Sequence, residues 1–339
     1  MNINLHGKSF LTLLDFSAEE ISYLLELAHQ LKQKRQQGIQ GTSLTGKNVA
    51  LLFEKTSTRT RCAFEVSVAE EGGYPSFIDV SSSQFGKKES VEDSAQVLAT
   101  FYHGIEFRGY AQKTVEDLAK YSGVPVYNGL TDDDHPTQIL ADLMTIQEAI
   151  PHKPLSQIKV VFVCDTRNNM SNAWMYGCAK MGMHFVAYGP KELHPYPQAL
   201  AKAQACAALS GAIIEASDDP TCLLNADVIY TDVWVSMGEE DQIVNRANLL
   251  QDYQITTAML AQTQNPDVVF MHCLPAFHDL ETKFVSDAFQ EFGVDVREVS
   301  DEVFRGKNSI VFQQAGNRLH SIKAILVATL GTHNEGIQS

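Results

Sequence analysis

Short apolar runs alternate with longer amphipathic stretches along the whole chain. Five of these runs are continuous and are flanked by Gly, Pro or Asp, which is typical of strands covered on both faces. They occupy residues 49–53, 159–164, 184–188, 228–231 and 268–272. Between them lie helical patterns such as 17–37, which opens with an S-x-x-E capping box at Ser17 and Glu20 and is followed by Gly38. This alternation predicts an α/β fold in which parallel sheets are flanked by helices.

The length of 339 residues predicts two domains, because one domain usually holds about 100–200 residues. Pro151 and Pro154 interrupt the pattern just before a new strand, so we place the boundary there. The prediction is a first domain at 1–150 and a second at 151–316, each a parallel sheet flanked by helices. A last helical stretch at about 317–335 could pack on either half, and we assign it to the first.

Composition and charge exclude several classes of partner. Lys and Arg total 26 against 41 for Asp and Glu, a net charge of −15, so we expect no nucleic acid and no anionic membrane surface as a partner. The sequence predicts no signal peptide, and no window approaches the roughly 18 apolar residues of a membrane helix. The six cysteines are scattered without a C-x-x-C pair, which favours reduced thiols and a cytoplasmic location.

The segment after residue 53 concentrates groups that bind anions. Ser57-Thr58-Arg59-Thr60-Arg61 opens a predicted helix, whose first N–H groups and positive dipole end attract an anion. The hydroxyl groups add donors, and a guanidinium group suits phosphate. Arg59 and Arg61 would project to nearly opposite sides of the helix, so we assign Arg59 to a ligand and Arg61 to a structural salt bridge. A capped helix with solvated arginines is the alternative, but the density of donors favours phosphate.

The known phosphate-binding glycine motifs are absent from the sequence. Neither G-x-G-x-x-G nor G-x-x-x-x-G-K-[ST] follows a predicted strand, which counts against a dinucleotide site and against a P-loop. We therefore expect the phosphate to belong to a small molecule, and we predict no cofactor.

Two further segments could contribute to the same sheet edge. His135-Pro136-Thr137-Gln138 stands between a predicted turn at Asn128-Gly129 and a helix expected near Ile139. A histidine there can donate to a developing oxyanion or stay neutral as an acceptor, and an incidental histidine beside a helix cap is an equal alternative. Arg108 follows a strand-like run and could supply a second donor.

In the second half, polar residues follow two predicted strands, which is where open α/β sheets bind ligands. Asp232 is suited to hold an ammonium group, and Cys273 lines the same region. Cys273 could be a nucleophile, although a thiol that lines a pocket is the simpler interpretation. His272 and Cys273 have no second ligand pair at zinc spacing, so we predict no metal site.

Four segments together resemble the aspartate/ornithine carbamoyltransferase family, in order and over nearly the whole chain. They are residues 57–61, His135-Pro136-Thr137-Gln138, His272-Cys273-Leu274-Pro275-Ala276 and Phe312-Gln313-Gln314-Ala315-Gly316-Asn317-Arg318. Ser236-Met237-Gly238, preceded by Asp232, is similar to the ornithine-specific branch. The resemblance implies that the first domain binds carbamoyl phosphate and the second binds L-ornithine. The carbamoyl group would pass to the side-chain amine of ornithine through a tetrahedral intermediate, giving L-citrulline and phosphate.

The resemblance also implies the residues of the site. Those for carbamoyl phosphate are Ser57, Thr58, Arg59, Thr60, Gln84, Arg108, His135, Gln138 and Arg318, and those for ornithine are Asn169, Asp232, Ser236, Met237, Cys273 and Leu274. Thr58, Arg108 and His135 would donate to the oxyanion, and Cys273 would lie beside the attacking amine. Gln84 resembles part of a loop that enters a neighbouring subunit's site, which implies a homotrimer, or a multiple of trimers, with sites at subunit interfaces.

Some alternatives stay open. Putrescine or another ornithine-like amine could be the acceptor, whereas aspartate is disfavoured because the second half has no new cluster of Arg and Lys. A catalytically silent homologue is disfavoured by the intact site residues, and a dehydrogenase by the missing glycine motif. The chain departs from the family pattern at Cys164, Gln313 and Gly316, and the last two bear on the surroundings of Arg318. The sequence does not determine the direction of the reaction, assembly beyond a trimer or cooperativity.

Overall fold

The computed structural model of the protein describes residues 3–235 and 240–332. The chain divides into two compact units, one comprising Met1–Met144 with Gly316–Ser339 and the other comprising Thr145–Ala315. Each unit is built on its own parallel sheet. The predicted α/β fold class is therefore confirmed.

The first unit has four parallel strands in the order β2-β1-β3-β4. They are β1 (Asn48–Phe53), β2 (Tyr74–Asp79), β3 (Gly104–Arg108) and β4 (Val126–Leu130). The helices that begin in this unit are α1 (Ala18–Gln36), α2 (Thr58–Glu70), α3 (Val91–Phe101), α4 (Gln112–Ser122) and α5 (Pro136–Ala149), and single 3₁₀ turns lie at Leu13–Asp15 and Val80–Ser82. The central strands β1 and β3 are buried almost throughout, because the hydrophobic core closes around them.

The second unit has five parallel strands in the order β7-β6-β5-β8-β9. They are β5 (Lys159–Val163), β6 (His184–Tyr188), β7 (Ile213–Ser217), β8 (Val228–Thr231) and β9 (Val269–His272). The helices are α6 (Asn169–Met181), α7 (Pro197–Ser210), α8 (Ile243–Leu250), α9 (Thr257–Gln262), α10 (Lys283–Phe292), α11 (Asp301–Phe304) and α12 (Val311–Leu330), the last of which continues into the first unit. Short 3₁₀ turns lie at Leu155–Gln157, Lys191–Leu193, Pro220–Leu223, Glu240–Gln242 and Gln251–Tyr253.

The local signals in the sequence have the expected structural outcome. All five predicted strands are present to within one residue at either end. Helix α1 opens with the predicted capping box, in which Ser17 Oγ accepts from the Glu20 N–H at 3.1 Å and Glu20 accepts from the Ser17 N–H at 2.8 Å. Gly38 follows the helix at a positive φ of 73°, a conformation that glycine adopts without strain. Among the described residues, no helix combines the length and hydrophobicity that a membrane span requires.

Two local predictions were wrong, and tertiary packing explains the first. Asn128-Gly129 lies inside β4 and does not form a turn. A Cβ at residue 129 would stand 1.9 Å from Oε1 of the buried Glu106 on β3, so glycine is required there by a close approach between strands. The helix expected near Ile139 begins at Pro136, which puts the proline at the first helical position, where its missing N–H costs nothing.

Candidate active site

The turn between β1 and α2 forms an accessible cluster of hydrogen-bond donors. Ser57 is the N-cap of α2, and its side chain accepts from the backbone N–H of Thr60 at 3.2 Å. No acidic residue stands at positions 58–61, all of which are described, so no carboxylate there competes with an anion for the free N–H groups. Ser57 and Arg59 are half-buried and Thr58 is exposed, whereas Thr60 is buried. This is a helix start of the kind that binds anions.

Two buried guanidinium groups meet at the Thr60 side chain. Arg108, the last residue of β3, donates to Thr60 Oγ1 at 3.5 Å, and Arg318, on α12, donates to the same oxygen at 2.9 Å. Arg318 also donates to Gln138 Oε1 at 2.9 Å. Four predicted site residues from four separate segments thus lie together at the carboxyl edge of the first unit's sheet.

Arg61 has the structural role that the sequence predicted. Its guanidinium group pairs with Glu65 one turn along α2, at 2.9 Å, and lies 3.7 Å from the centre of the Phe77 ring. Both partners of the ion pair are partly exposed, so the pair stabilises the helix only weakly. Arg59, two residues earlier, starts from the same first turn of α2.

His135 stands immediately before α5 and is almost completely buried. Its Nδ1 lies 3.4 Å from the Thr137 hydroxyl, and a hydrogen bond donated by that hydroxyl leaves the ring proton on Nε2. Burial, reinforced by the nearby charges of Arg318, Arg108 and Arg59, lowers the pKa of His135 well below its usual range. The imidazole is therefore neutral near pH 7 and can act as a hydrogen-bond donor without carrying a charge.

Glu106 is a buried carboxyl beside these arginines that the sequence analysis missed. It lies two positions before Arg108 on β3, so both side chains point to the same face of the sheet. Within the described residues, neither of its carboxyl oxygens has a hydrogen-bond partner. Burial raises the pKa of Glu106 well above its usual range, and the charges of Arg108 and Arg318 oppose that rise. The available sequence signal was a charged residue inside an otherwise apolar strand.

In the second unit, a second polar cluster lies at the carboxyl ends of the adjacent strands β5 and β8. These strands flank the point where the strand order reverses, which is where such sheets bind ligands. Asp232 follows β8, and its Oδ1 accepts from the Cys273 thiol at 3.1 Å and from the Val233 N–H at 2.8 Å. Its Oδ2 accepts from Asn168 Nδ2 at 3.4 Å.

Asn168, the residue before the predicted Asn169, contacts Asp232 and was not named by the sequence analysis. Asn168 is the N-cap of α6, with its Oδ1 accepting from the Ser171 N–H at 2.9 Å, and Asn169 is the first helical residue. No local pattern singled out Asn168 as the cap of α6, because an asparagine stands at both positions. Both belong to the helix start that follows β5.

Asp232, His272 and Cys273 come closer together than their spacing in the sequence indicated. One ligand atom from each lies within 4.8 Å of the others. Both ring nitrogens of His272 are already engaged, however, because Nδ1 accepts from the Leu274 N–H at 2.9 Å and Nε2 lies 3.1 Å from Glu298 Oε1. A metal ion would have to displace one of these bonds. Burial raises the pKa of Asp232, while the neighbouring His272 and the Cys273 thiol oppose the rise.

The loop after β9, which carries Cys273 and Leu274, rests on a buried polar network. The backbone N–H of His272 donates to Gln314 Oε1 at 2.9 Å, and Gln314 donates onward to the Tyr230 hydroxyl at 3.1 Å. Glu298 Oε1 accepts from the Phe277 N–H at 2.6 Å as well as lying next to the His272 ring. Burial raises the pKa of Glu298 to about 8. The network therefore holds both ends of the loop.

Glu298→Gln is expected to change the pH dependence of stability. Because burial raises the folded-state pKa of Glu298 from 4.5 to about 8, the folded protein keeps a proton that the unfolded chain releases in this range. The stabilisation that comes from this retained proton is therefore complete below pH 4.5. It declines as the pH rises from 4.5 to about 8. The variant has no such proton to lose.

The free energy of unfolding of Glu298→Gln, relative to wild type, should therefore increase between pH 4.5 and about 8 and level off above it. Urea unfolding at intervals across this window measures the difference. Glu291→Gln, which removes an exposed carboxyl from the same unit, controls for the change in net charge. A difference between wild type and Glu298→Gln that stays constant with pH would contradict the prediction.

Three predicted site residues are not part of these clusters: Gln84 lies elsewhere in the first unit, and two others fall outside the described residues. Ser236 and Met237 are outside the described residues. Gln84 is exposed in the loop before α3, where its carbonyl accepts from the N–H groups of Lys87 at 3.0 Å and Lys88 at 3.1 Å. The next residue, Phe85, is buried and packs 6.2 Å from the Phe107 ring, so the loop is anchored while Gln84 faces outward.

Each departure from the family pattern has a structural setting. Cys164 has a φ of 119°, a conformation that favours glycine, and its buried thiol donates to the Asp232 carbonyl at 3.5 Å. Gln313 donates to Glu148 at 2.8 Å. A Cβ at Gly316 would meet nothing within 4 Å, so the glycine leaves open space on α12.

Two family models together match most of the chain. Residues 8–148 match the "aspartate/ornithine carbamoyltransferase, carbamoyl-P binding domain" and residues 156–329 match the "aspartate/ornithine carbamoyltransferase, Asp/Orn binding domain". The chain belongs to the aspartate/ornithine carbamoyltransferase family.

Carbamoyltransferases of this family include close relatives of the chain. A Clostridium perfringens protein named "ornithine carbamoyltransferase, catabolic" is 59% identical over 98% of this chain and 100% of the relative. A Streptococcus agalactiae "ornithine carbamoyltransferase 1, catabolic" is 52% identical over 97% and 99%. The solved ornithine carbamoyltransferase from Pyrococcus furiosus is 38% identical, covers 99% of this chain and 100% of its own, and superimposes with a TM-score of 0.88.

Proposed function

We propose that this chain transfers the carbamoyl group of carbamoyl phosphate to the side-chain amine of L-ornithine, giving L-citrulline and phosphate. The observation that carries the proposal is the convergence of Arg108 and Arg318 on Thr60 beside the start of α2. A dianionic phosphate on a chain of net charge −15 needs such local cations, because the mean field of the protein opposes it. Full-length relatives named ornithine carbamoyltransferase support the choice of acceptor.

We assign carbamoyl phosphate to the first unit. Ser57, Thr58, Arg59 and Thr60 bind the phosphate through hydroxyl, guanidinium and helix N–H donors. Arg318 completes the clamp on the anion. The carbamoyl end is held by Arg108, His135 and Gln138. Arg318 donates to both Gln138 and Thr60, so it fixes the distance between the carbamoyl end and the phosphate end of the site.

The chemistry that we infer uses these groups as oxyanion donors. The lone pair of the amine attacks the carbonyl carbon and forms a C–N bond, and negative charge gathers on the carbonyl oxygen. Thr58, Arg108 and the neutral His135 donate to that oxygen. The C–O bond to phosphate then breaks, phosphate leaves with the electron pair, and it accepts the proton that the amine loses.

We assign ornithine to the second unit. The Asp232 carboxylate binds an ammonium group, and the start of α6, with Asn168 as its cap and Asn169 as its first residue, receives the carboxylate. Ser236 and Met237 contribute from the segment that follows Asp232. Cys273 and Leu274 lie beside the side-chain amine. That amine has an ordinary pKa of about 10.4, so it must lose a proton before it attacks.

The working unit that we propose is a homotrimer with sites at subunit interfaces. Gln84, carried on an anchored loop and exposed, is available to complete the site of a neighbouring subunit. The first unit also exposes five large apolar side chains on α2, β2 and α3, which a second copy would cover. They are Val66, Tyr74, Phe77, Val97 and Phe101. Light scattering after gel filtration gives the mass that tests this assembly.

We infer a cytoplasmic enzyme of arginine breakdown. All six cysteines are described and none forms a disulfide bond, which suits a reducing compartment. Two of the similar relatives carry the word "catabolic" in their names. The chemistry is reversible. The same site therefore forms carbamoyl phosphate and ornithine from citrulline and phosphate when the carbamoyl phosphate is consumed by a later reaction.

The test of the function is an acceptor comparison. Purified enzyme is supplied with carbamoyl phosphate and, in parallel, with L-ornithine, putrescine or L-aspartate, and the carbamoylated product is measured. We expect product with ornithine far above that with the other two amines. Turnover of putrescine in preference to ornithine would overturn the acceptor assignment, and no product with any amine would favour a silent binding subunit.

A further inference from the structure

The turn between β5 and α6, residues 164–168, is held by a charged side chain that the proposed site does not use. Asp165 is almost completely buried, and its Oδ1 accepts from the Arg167 N–H at 2.8 Å. This bond shapes the turn that leads to Asn168, whose side chain caps α6 and reaches Asp232. Asp165 therefore helps to shape the turn that leads directly into the two asparagines at the helix start.

Arg246 reaches Asp165 from α8, on another part of the same unit. Its Nη1 donates to Asp165 Oδ2, and the two side chains are only 13% and 9% exposed. A carboxylate that is so deeply buried is costly unless a cation and hydrogen bonds compensate it. The pair thus links α8 to the turn and cancels the charge of Asp165.

We propose that Arg246 is a positioning residue for the amino acid end of ornithine, acting through Asp165. Without the guanidinium group, the Asp165 carboxylate would remain buried near the positive end of α6, where it competes with the carboxylate of the substrate. The turn would also lose its tie to α8, and Asn168 and Asn169 would lose their fixed placement. This inference rests on the proposed binding of ornithine in the second unit.

Arg246→Gln is the variant that tests the proposal. We expect KM for ornithine to rise by about tenfold or more, while KM for carbamoyl phosphate stays within about twofold of wild type. Arg246→Lys keeps the charge and loses the planar fork, so it should be intermediate. The lysine variant also serves for the comparison if Arg246→Gln does not fold.

L-Norvaline shows which end of the substrate is affected, because it has the amino acid end of ornithine and no side-chain amine. Its inhibition constant against ornithine should rise in Arg246→Gln in parallel with KM. Equal rises in KM for both substrates, an unchanged KM for ornithine, or a rise that norvaline does not follow would each overturn the proposal.

Lys153→Gln is the matched control. Lys153 forms a partly buried ion pair with Asp227 at 2.6 Å, at the opposite edge of the same sheet, so its loss should lower the melting temperature and leave both KM values unchanged. If wild type and Lys153→Gln fail to carbamoylate ornithine, the proposed function fails. If both are active and Arg246→Gln matches them in KM, only the role of Arg246 fails.

Discussion

Arg318→Gln is expected to lower kcat/KM for carbamoyl phosphate by about 10²–10³, because a buried donor aimed at developing charge is typically worth that much. The change removes the hydrogen bonds that the guanidinium group donates to Thr60 and Gln138. It also removes one of the two positive charges that oppose the rise in the pKa of Glu106. Steady-state kinetics and calorimetric titration with carbamoyl phosphate measure the loss.

Arg61→Gln is the control for this variant. Arg61 starts from the same helix, α2, but it pairs with the partly exposed Glu65, and surface pairs of this kind contribute little. We expect its kinetics to stay close to wild type. Equal losses in the two variants would show that any missing arginine disturbs the unit, and an Arg318→Gln enzyme with wild-type binding would remove Arg318 from the site.

Asp232→Asn is expected to lower kcat/KM for ornithine by about 10²–10³, since truncating one partner of a buried charged hydrogen bond costs roughly 2–5 kcal/mol. The amide keeps the shape of the side chain and loses the charge that binds an ammonium group. Binding of carbamoyl phosphate, which we place in the other unit, should be unchanged. In the wild type, burial raises the pKa of Asp232, so ornithine binding should weaken with falling pH sooner than for an exposed aspartate.

Cys273→Ala separates positioning from covalent catalysis. The Cys273 thiol donates to Asp232 Oδ1 at 3.1 Å, so we expect a smaller loss than in Asp232→Asn, with turnover still measurable. Intact-protein mass spectrometry during turnover should detect no carbamoyl adduct on the wild-type enzyme. Complete loss of activity in Cys273→Ala, together with an isolable carbamoyl-enzyme in wild type, would establish Cys273 as a nucleophile.

The central strands and the helix starts were predictable because their signals are local. β5, β8 and β9 are covered on both faces and therefore appear as continuous apolar runs. The edge strands β2 and β7 were not predicted, because each has an exposed side and mixes polar with apolar residues. β9 also lies at an edge, but it is buried like the central strands, so its continuous apolar run was predicted.

The sequence by itself determined which segments carry donors and acids. Hydroxyl groups and arginines at the start of α2, and Asp232 after β8, follow from residue types placed next to strand ends, and parallel strands bring their carboxyl ends to one edge. Sequence resemblance added Arg318, which no local pattern would have connected to Thr60.

The tertiary structure alone decided how these groups meet. Arg318 and Thr60 are 258 positions apart, and their hydrogen bond depends on where α12 packs. Three other contacts have the same origin: Asn168 with Asp232, Glu106 close to Gly129, and Arg246 with Asp165. Distances between side chains from remote segments are set by the packing of the elements that carry them, and local sequence preferences contain no information about that packing.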